Sequence, residues 1–404
     1  MLKIAYWSAT AVLAAFVSLS SFAVTMEVRD PARTVFLEVP PQATAKGNLA
    51  LASYAVRLAQ DREADVSPSE AQLAWSAYKS EPLSISALGV LALSARAKGD
   101  EERAYQLLNY AGKLSRRSRL VTSQMIEATG LRNEPRAFFA WLSRAVLTDQ
   151  SMRATYIRAM AEATARSDAV ETLAPVIGPN PSWAEFYWRT VATRPNSLSN
   201  AAKLRLEIFK APWNQRNIQA GDAEILAGLI KREEFKAAVE FAEGLGQVPP
   251  RAVGVGNQVV NGDFSRAPTL PGVDWQLAAT GVLGASISDG KKGLLISAVP
   301  GAHGAAARQL VSLPGGNYKL VWKATGAVAG SPTPLSVNLT CAAKGQSSVA
   351  IASVKLLMGA HEQNIDLPPS ACGWFWLSIE ANLPDDTSGI DVTLNQISLA
   401  PVKS

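Results

Sequence analysis

From about residue 46 to residue 247, apolar positions recur with a helical period. In AYQLLNYAGKL, Ala104, Leu107, Leu108, Ala111 and Leu114 share one face, and in FKAAVEFAEGL so do Phe235, Ala238, Val239, Ala242 and Leu245. Lys98-Gly99-Asp100, Asn133-Glu134-Pro135 and Gly178-Pro179-Asn180-Pro181 interrupt the periodic runs, which implies helices joined in pairs by short turns. The stretch GLGQVPPRAVGVG ends this pattern, and residues 248–256 read as a linker. Beyond it the alternation becomes twofold, with turn signals about every eight to twelve residues, as in an antiparallel sandwich.

The strand pattern is specific enough to assign faces. Tyr318, Leu320, Trp322 and Ala324 point one way and Lys319 and Lys323 the other, while Leu335, Val337, Leu339 and Cys341 form an inner set against Ser336, Asn338 and Thr340. In GIDVTLNQISLAPV, Ile390, Val392 and Leu394 face inward, and the phase slips at Gln396 so that Ile397 and Leu399 continue the core, which predicts a β-bulge. The expected fold is multidomain α plus β: an α-helical solenoid over 46–247, then a jelly-roll β-sandwich over 257–402.

Composition supports this division. The 404 residues exceed the size of a single core, and 48% hydrophobic with 18% charged residues excludes a mainly disordered chain. A net charge of +5 is spread among acids, and its densest cluster, Lys113 to Arg119, suits a helix C-terminus, so no nucleic-acid partner is expected. Residues 1–26 carry Lys3, an apolar run and Ser21-Phe22-Ala23, and read as an export element. The run fits a cleaved signal peptide, and with Tyr6-Trp7 at its start it equally fits an uncleaved inner-membrane anchor; both place the rest of the chain in the periplasm. Two cysteines in one exported domain, Cys341 and Cys372, point to a disulfide, with two unpaired buried thiols as the alternative.

Self-comparison aligns ALSARAKGDEERAYQLLNYAGKL with MIEATGLRNEPRAFFAWLSRAVL at a shift of about 33, and looser copies follow around residues 156–177 and 224–245. The pattern resembles degenerate tetratricopeptide repeats. Such a resemblance implies a curved scaffold that holds a protein partner and performs no chemistry. Trp183, Phe186, Tyr187, Trp188 and Trp213 interrupt the period as an aromatic cluster, read as core in preference to a ligand platform.

Asn261-Gly262-Asp263-Phe264, with Trp275-Gln276-Leu277 and the late Asp391 strand, resembles the galactose-binding-like jelly rolls of carbohydrate-binding modules, although Ser265 stands where that family has Glu. Gly262 is expected to take positive φ in a turn, and Phe264 to anchor the first strand. No cofactor is expected beyond a structural calcium, which would draw on Asp263 and Asp391; solvated acids are the plainer reading. Sugar rings stack on aromatics beside polar groups, which makes Trp374, Trp376, Asn338, Gln363 and Asn395 the glycan-binding candidates. Their phase is awkward, because Phe375, Leu377 and Ile379 look like core and would expose both tryptophans, yet Cys372 shares the tryptophans' phase while Cys341 faces inward. The reading therefore favours burial of at least one tryptophan.

The helical section, LVSLPGGNYKLVW, the cysteine spacing and the final strand together resemble exported alphaproteobacterial proteins that pair such helices with a jelly roll beside exopolysaccharide genes. That resemblance implies an accessory role in polysaccharide assembly or export. Catalytic signals are few: His303 and His361 lie in apparent loops, Ser76-Ala77-Tyr78-Lys79 lacks the companion motifs of penicillin-recognising enzymes, and Glu101-Glu102, Glu233-Glu234 and Asp385-Asp386 sit where helix starts and turns place acids. The expected function is a non-enzymatic periplasmic accessory protein that binds an envelope or exopolysaccharide-machinery protein, polysaccharide, or both. The alternatives are a purely protein-binding scaffold and a glycan-processing enzyme.

Overall fold

The computed structural model describes residues 2–38, 42–250, 252–287, 292–327, 333–344, 350–369, 372–386 and 388–402, and for residues 2–11 and 327 the backbone alone. Among these, fourteen α-helices precede two five-stranded antiparallel sheets, as the change of periodicity predicts. The chain forms two compact units, Met1–Ile157 and Arg158–Ser404. The later helices therefore share a unit with the sheets.

The first unit holds α1 (Leu2–Met26), α2 (Pro31–Phe36), α3 (Ala43–Gln60), α4 (Pro68–Ser80), α5 (Ile85–Ala97), α6 (Glu101–Leu114), α7 (Arg119–Leu131) and α8 (Pro135–Thr148). No helix among the described residues is long and apolar enough to cross a membrane; the side chains of Tyr6 and Trp7 lie outside the described residues. Helices α3/α4, α5/α6 and α7/α8 pack as hairpins. Ser67 opens α4 with a capping box, its hydroxyl accepting from Glu70 N while the Glu70 carboxylate accepts from Ser67 N. The α5/α6 and α7/α8 turns are built alike: Gly99 (φ 78°) and Asn133 (φ 52°) are left-handed, and the amides of Asp100 and Glu134 reach back to the carbonyls of Ala95 and Thr129. These two left-handed residues, 99 and 133, lie 34 positions apart.

The boundary falls in α9 (Arg153–Ala163), which is followed by α10 (Ala169–Ile177), α11 (Ala184–Ala192), α12 (Leu198–Phe209), α13 (Ala220–Lys231) and α14 (Phe235–Gly244). Here α10 packs on α12 and α11 on α13. Trp183, Tyr187 and Trp188 are buried among them, and only Phe186 of that group is largely exposed, so the aromatic cluster is core. The Arg205 guanidinium on α12 is fully buried, donating through Nε and Nη2 to both oxygens of Asp222 on α13 at 2.8 and 3.1 Å, and through Nη1 and Nη2 to the carbonyls of Gln215 and Asn217. A buried pair satisfied in this way fixes how the two helices meet.

The strands are β1 (Gln276–Leu277), β2 (Leu283–Ile287), β3 (Leu294–Ala298), β4 (His303–Ser312), β5 (Gly316–Ala327), β6 (Leu335–Cys341), β7 (Ala352–Lys355), β8 (Gly359–Leu367), β9 (Trp374–Asn382) and β10 (Ile390–Pro401). One sheet runs β1-β4-β9-β6-β7 and the other β2-β3-β10-β5-β8. Their inner faces meet in a core that includes Phe375, Leu377, Ile379, Leu320, Trp322, Val392 and Leu399. The β10/β5 register slips between Leu394 and Gln396, at the predicted bulge.

Two sequence expectations change here. The Asn261-Gly262-Asp263 segment is a turn beside β10, as expected, but the positive φ of 50° falls on Asn261 and Phe264 and not on Gly262, and Phe264 lies outside the strands. Gly262 is needed for close approach: a Cβ there would collide with the Ile397 carbonyl, while Ile397 N donates to Gly262 O at 2.7 Å. The conflict over Cys372 also resolves. Gly373 (φ 71°) and the bond from Trp374 N to Cys372 O make a tight turn before β9, so Cys372 does not share the strand's phase and packs against the core. It forms the disulfide with Cys341, Cα atoms 5.8 Å apart. Cys341 itself, at the end of β6, is only half buried.

Candidate functional site

Strand β9 is the central strand of its sheet. Its alternation sends Phe375, Leu377 and Ile379 into the core and turns Trp374, Trp376, Ser378 and Glu380 to the outer face. Antiparallel pairing sets Arg308 of β4 and Asn338 of β6 on either side of Ser378, with Leu310 and Thr340 flanking Trp376. Ser353 of β7 donates to Asn338 Oδ1 at 2.7 Å. One face thus gathers an aromatic pair and a polar row.

This face is half buried because helices of the same unit lie over part of it. Phe235 of α14 packs against Trp374, ring centroids 5.8 Å apart, and the loop after β6 is tied to the α13/α14 turn through Lys344, whose N donates to Glu233 Oε1 at 2.8 Å and whose Nζ donates to Lys231 O at 3.0 Å. A cleft of about 490 Å³ remains beside Trp376, walled by α13 on one side and by Pro271, Gln276 and Arg308 on the other. Arg308 lies over the Trp376 ring at 4.5 Å and donates through Nε to Gln276 Oε1 at 2.9 Å.

Electrostatics follow from this partial burial. Desolvation raises the Glu380 pKa, and the Ser378 hydroxyl and the Arg308 charge oppose the shift. Asp274, buried within the loop that forms the cleft wall, is likewise raised by desolvation, although Trp275 N donates to it at 2.8 Å and Arg266 Nη1 approaches its other oxygen at 2.6 Å as an ion pair. Gln309, buried on the inner side, holds the backbone of Val260 by bonds in both directions, fixing the chain that enters the sandwich.

The candidates separate into two sets. Trp374, Trp376 and Asn338 share the outer face of β9 and β6. Gln363 is exposed on edge strand β8, and Asn395 sits at the β10 bulge accepting from Thr325, so both belong to the other sheet and cannot join the tryptophans across the core. Asp263 and Asp391 are also apart: the turn holding Asp263 meets β10 at Ile397, six positions and roughly 20 Å from Asp391, which instead accepts from Ser297 at 2.6 Å. They do not form a pair of calcium ligands, and the described residues contain no cluster of three or more metal-ligating side chains. His303 bonds Asn382 and His361 stacks on Trp322, on different sheets. Arg308 and Gln276 were missed because only strand pairing brings them to Trp376, and Glu380 because its place on the same outer face shows only in the alternation Trp374-Trp376-Ser378-Glu380.

No family model matches the chain, and no curated protein matches it. Among solved structures, one described as "CBM4 structure and function" matches at 18% identity over 35% of this chain and 98% of its own, with a TM-score of 0.27. The enzymatically active domain of bacteriophage CBA120 tailspike protein 4 matches at 18% identity over 36% of this chain and 21% of its own, TM-score 0.23. TmCBM61 in complex with β-1,4-galactotriose matches at 14% identity over 36% and 99%, TM-score 0.22.

Proposed function

We propose that the chain is a non-enzymatic accessory protein of the cell envelope that binds glycan on the outer face of the sheet β1-β4-β9-β6-β7. The supporting observation is on that face: half-buried Trp376 and Arg308, with Gln276, line a cleft of sugar size, and Asn338 and Glu380 continue the polar row along the same face outside the cleft. Half-buried polar side chains on a rigid sheet are prepared to exchange water for hydroxyls at little conformational cost. Trp374, covered by Phe235, contributes support more than contact area. In this reading the protein is exported and works in the periplasm, with or without its N-terminal segment, and its tetratricopeptide-like helices hold a protein of exopolysaccharide assembly or export.

The test is a glycan array probed with the full chain and with Trp376→Ala. Binding to a defined subset of glycans that disappears in the variant, with unchanged circular dichroism, is the expected outcome. A blank array with the folded wild type would refute the reading. One observation favours the scaffold alternative: the packing of Phe235 on Trp374 already occupies one end of the aromatic row with protein.

A further inference from the structure

The cleft beside Trp376 has a chemical bias that a generic sugar platform lacks. The guanidinium of Arg308 lies over the indole at 4.5 Å, so a neutral pyranose stacking on that side would have to displace it. Gln276 takes the Nε–H, and among the described residues no protein group accepts from Nη1 or Nη2. An arginine held by an aromatic ring and by one hydrogen bond at Nε presents its terminal edge as a preset fork, and that fork matches the two oxygens of a carboxylate. Lys231 of α13 lines the same cleft and enters no ion pair among the described residues, while Glu224 is the acidic residue of the lining. Glu380 also faces Arg308 from the next strand, but it is not among the cleft-lining residues.

We propose that this cleft binds a carboxylate-bearing sugar residue, a uronic acid or an acid-substituted hexose, with the carboxylate on the Nη1/Nη2 edge of Arg308 and Lys231 adding positive charge. The inference rests on the glycan-binding reading and names the class of glycan. Ile230, Ala227 and Ala223 give the cleft an apolar wall for the sugar ring, and Glu224 offers an acceptor for hydroxyls. A volume of about 490 Å³ suits one or two sugar residues, so the recognised unit is short.

The experiment is calorimetric titration of the full chain with trigalacturonate and with a hyaluronan tetrasaccharide, each beside its carboxyl-reduced neutral form. Each acidic oligosaccharide is expected to bind at least about tenfold more tightly than its reduced form, the range of one charge-assisted hydrogen-bond pair. Arg308→Gln removes that preference, and Lys231→Ala, a change at an exposed side chain that leaves folding untouched, weakens acidic binding about two- to threefold. Equal binding of acidic and reduced forms, unaffected by Arg308→Gln, overturns this inference and leaves the glycan reading intact. Binding that follows sulfate esters in a sulfated hyaluronan control and ignores carboxylates also overturns it. Absence of binding to every oligosaccharide, together with a blank array, removes the glycan reading itself.

Discussion

The ring of Phe235 lies 5.8 Å from that of Trp374 with its plane tilted by 41°, so a residue from the helical half of the chain packs directly on the central strand of a sandwich sheet. Phe235 is 6% exposed, and its removal opens space at that contact. Phe235→Ala is expected to lower the unfolding free energy by about 3 kcal/mol, read from urea denaturation, with the loss carried in the midpoint and not in the slope. A change of less than about 0.5 kcal/mol would mean that the helix contributes nothing to the sandwich.

Arg205 and Asp222 are 0% and 2% exposed at their side chains, and every donor that the guanidinium directs at protein finds an acceptor. Arg205→Met leaves a buried carboxylate without its partner and is expected to cost about 3–5 kcal/mol. The double change Arg205→Met, Asp222→Leu is expected to cost less than the single one. Thermal denaturation of the wild type, the single and the double variant measures the difference, and a double variant less stable than Arg205→Met would contradict this assignment.

The disulfide joins Cys341 and Cys372 across a sequence separation of 31. By loop-closure entropy its removal costs about 3–4 kcal/mol. Replacing both cysteines by serine is expected to lower the melting temperature of the unit containing the sandwich and to leave the helices of residues 42–157 at their original midpoint. Equal shifts in both would indicate that the chain unfolds as one cooperative block.

Glu70 contributes to the pH dependence of the first unit. Burial alone would raise its pKa, but two hydrogen bonds from Arg57 and those from Ser67 outweigh burial and hold it down at about 2. A folded-state pKa below the unfolded one gives stability that is complete above about pH 4.5 and is lost as the pH falls toward 2. With Arg57 39% exposed and therefore screened, the contribution is about 2 kcal/mol. Glu70→Gln is expected to destabilise at pH 7 and to flatten the acid limb between pH 4.5 and 2, followed by circular dichroism. An unchanged acid limb would show that other carboxylates set it.

Much of the fold was legible because burial leaves a periodic trace. The inward sets of β5, β6 and β10 follow directly from alternation, and the slip at Gln396 is visible since Leu394 and Ile397 cannot otherwise both reach the core. What stayed hidden depends on partners distant in sequence. Nothing in the sequence pairs Arg205 with Asp222, 17 positions away, until α12 and α13 are packed together. Arg308 lies 68 positions from Trp376, and only the β4/β9 register brings them side by side. The placing of Gln363 and Asn395 with the tryptophans failed for the same reason, since polarity and an aromatic neighbour say nothing about which of two sheets a strand joins. Gly373 was invisible to parity counting because one left-handed residue resets the phase between Cys372 and Trp374.

Affinity electrophoresis of the full chain through gels containing acidic bacterial polysaccharide, against an inert neutral glucan, separates the two faces of the sandwich in one measurement. The expected result is retardation that is lost in Trp376→Ala and reduced in Asn338→Ala, but retained in Gln363→Ala and Asn395→Ala on the opposite sheet. Retardation unaffected by Trp376→Ala, or abolished by the substitutions on the opposite sheet, would contradict glycan recognition by the β9 face.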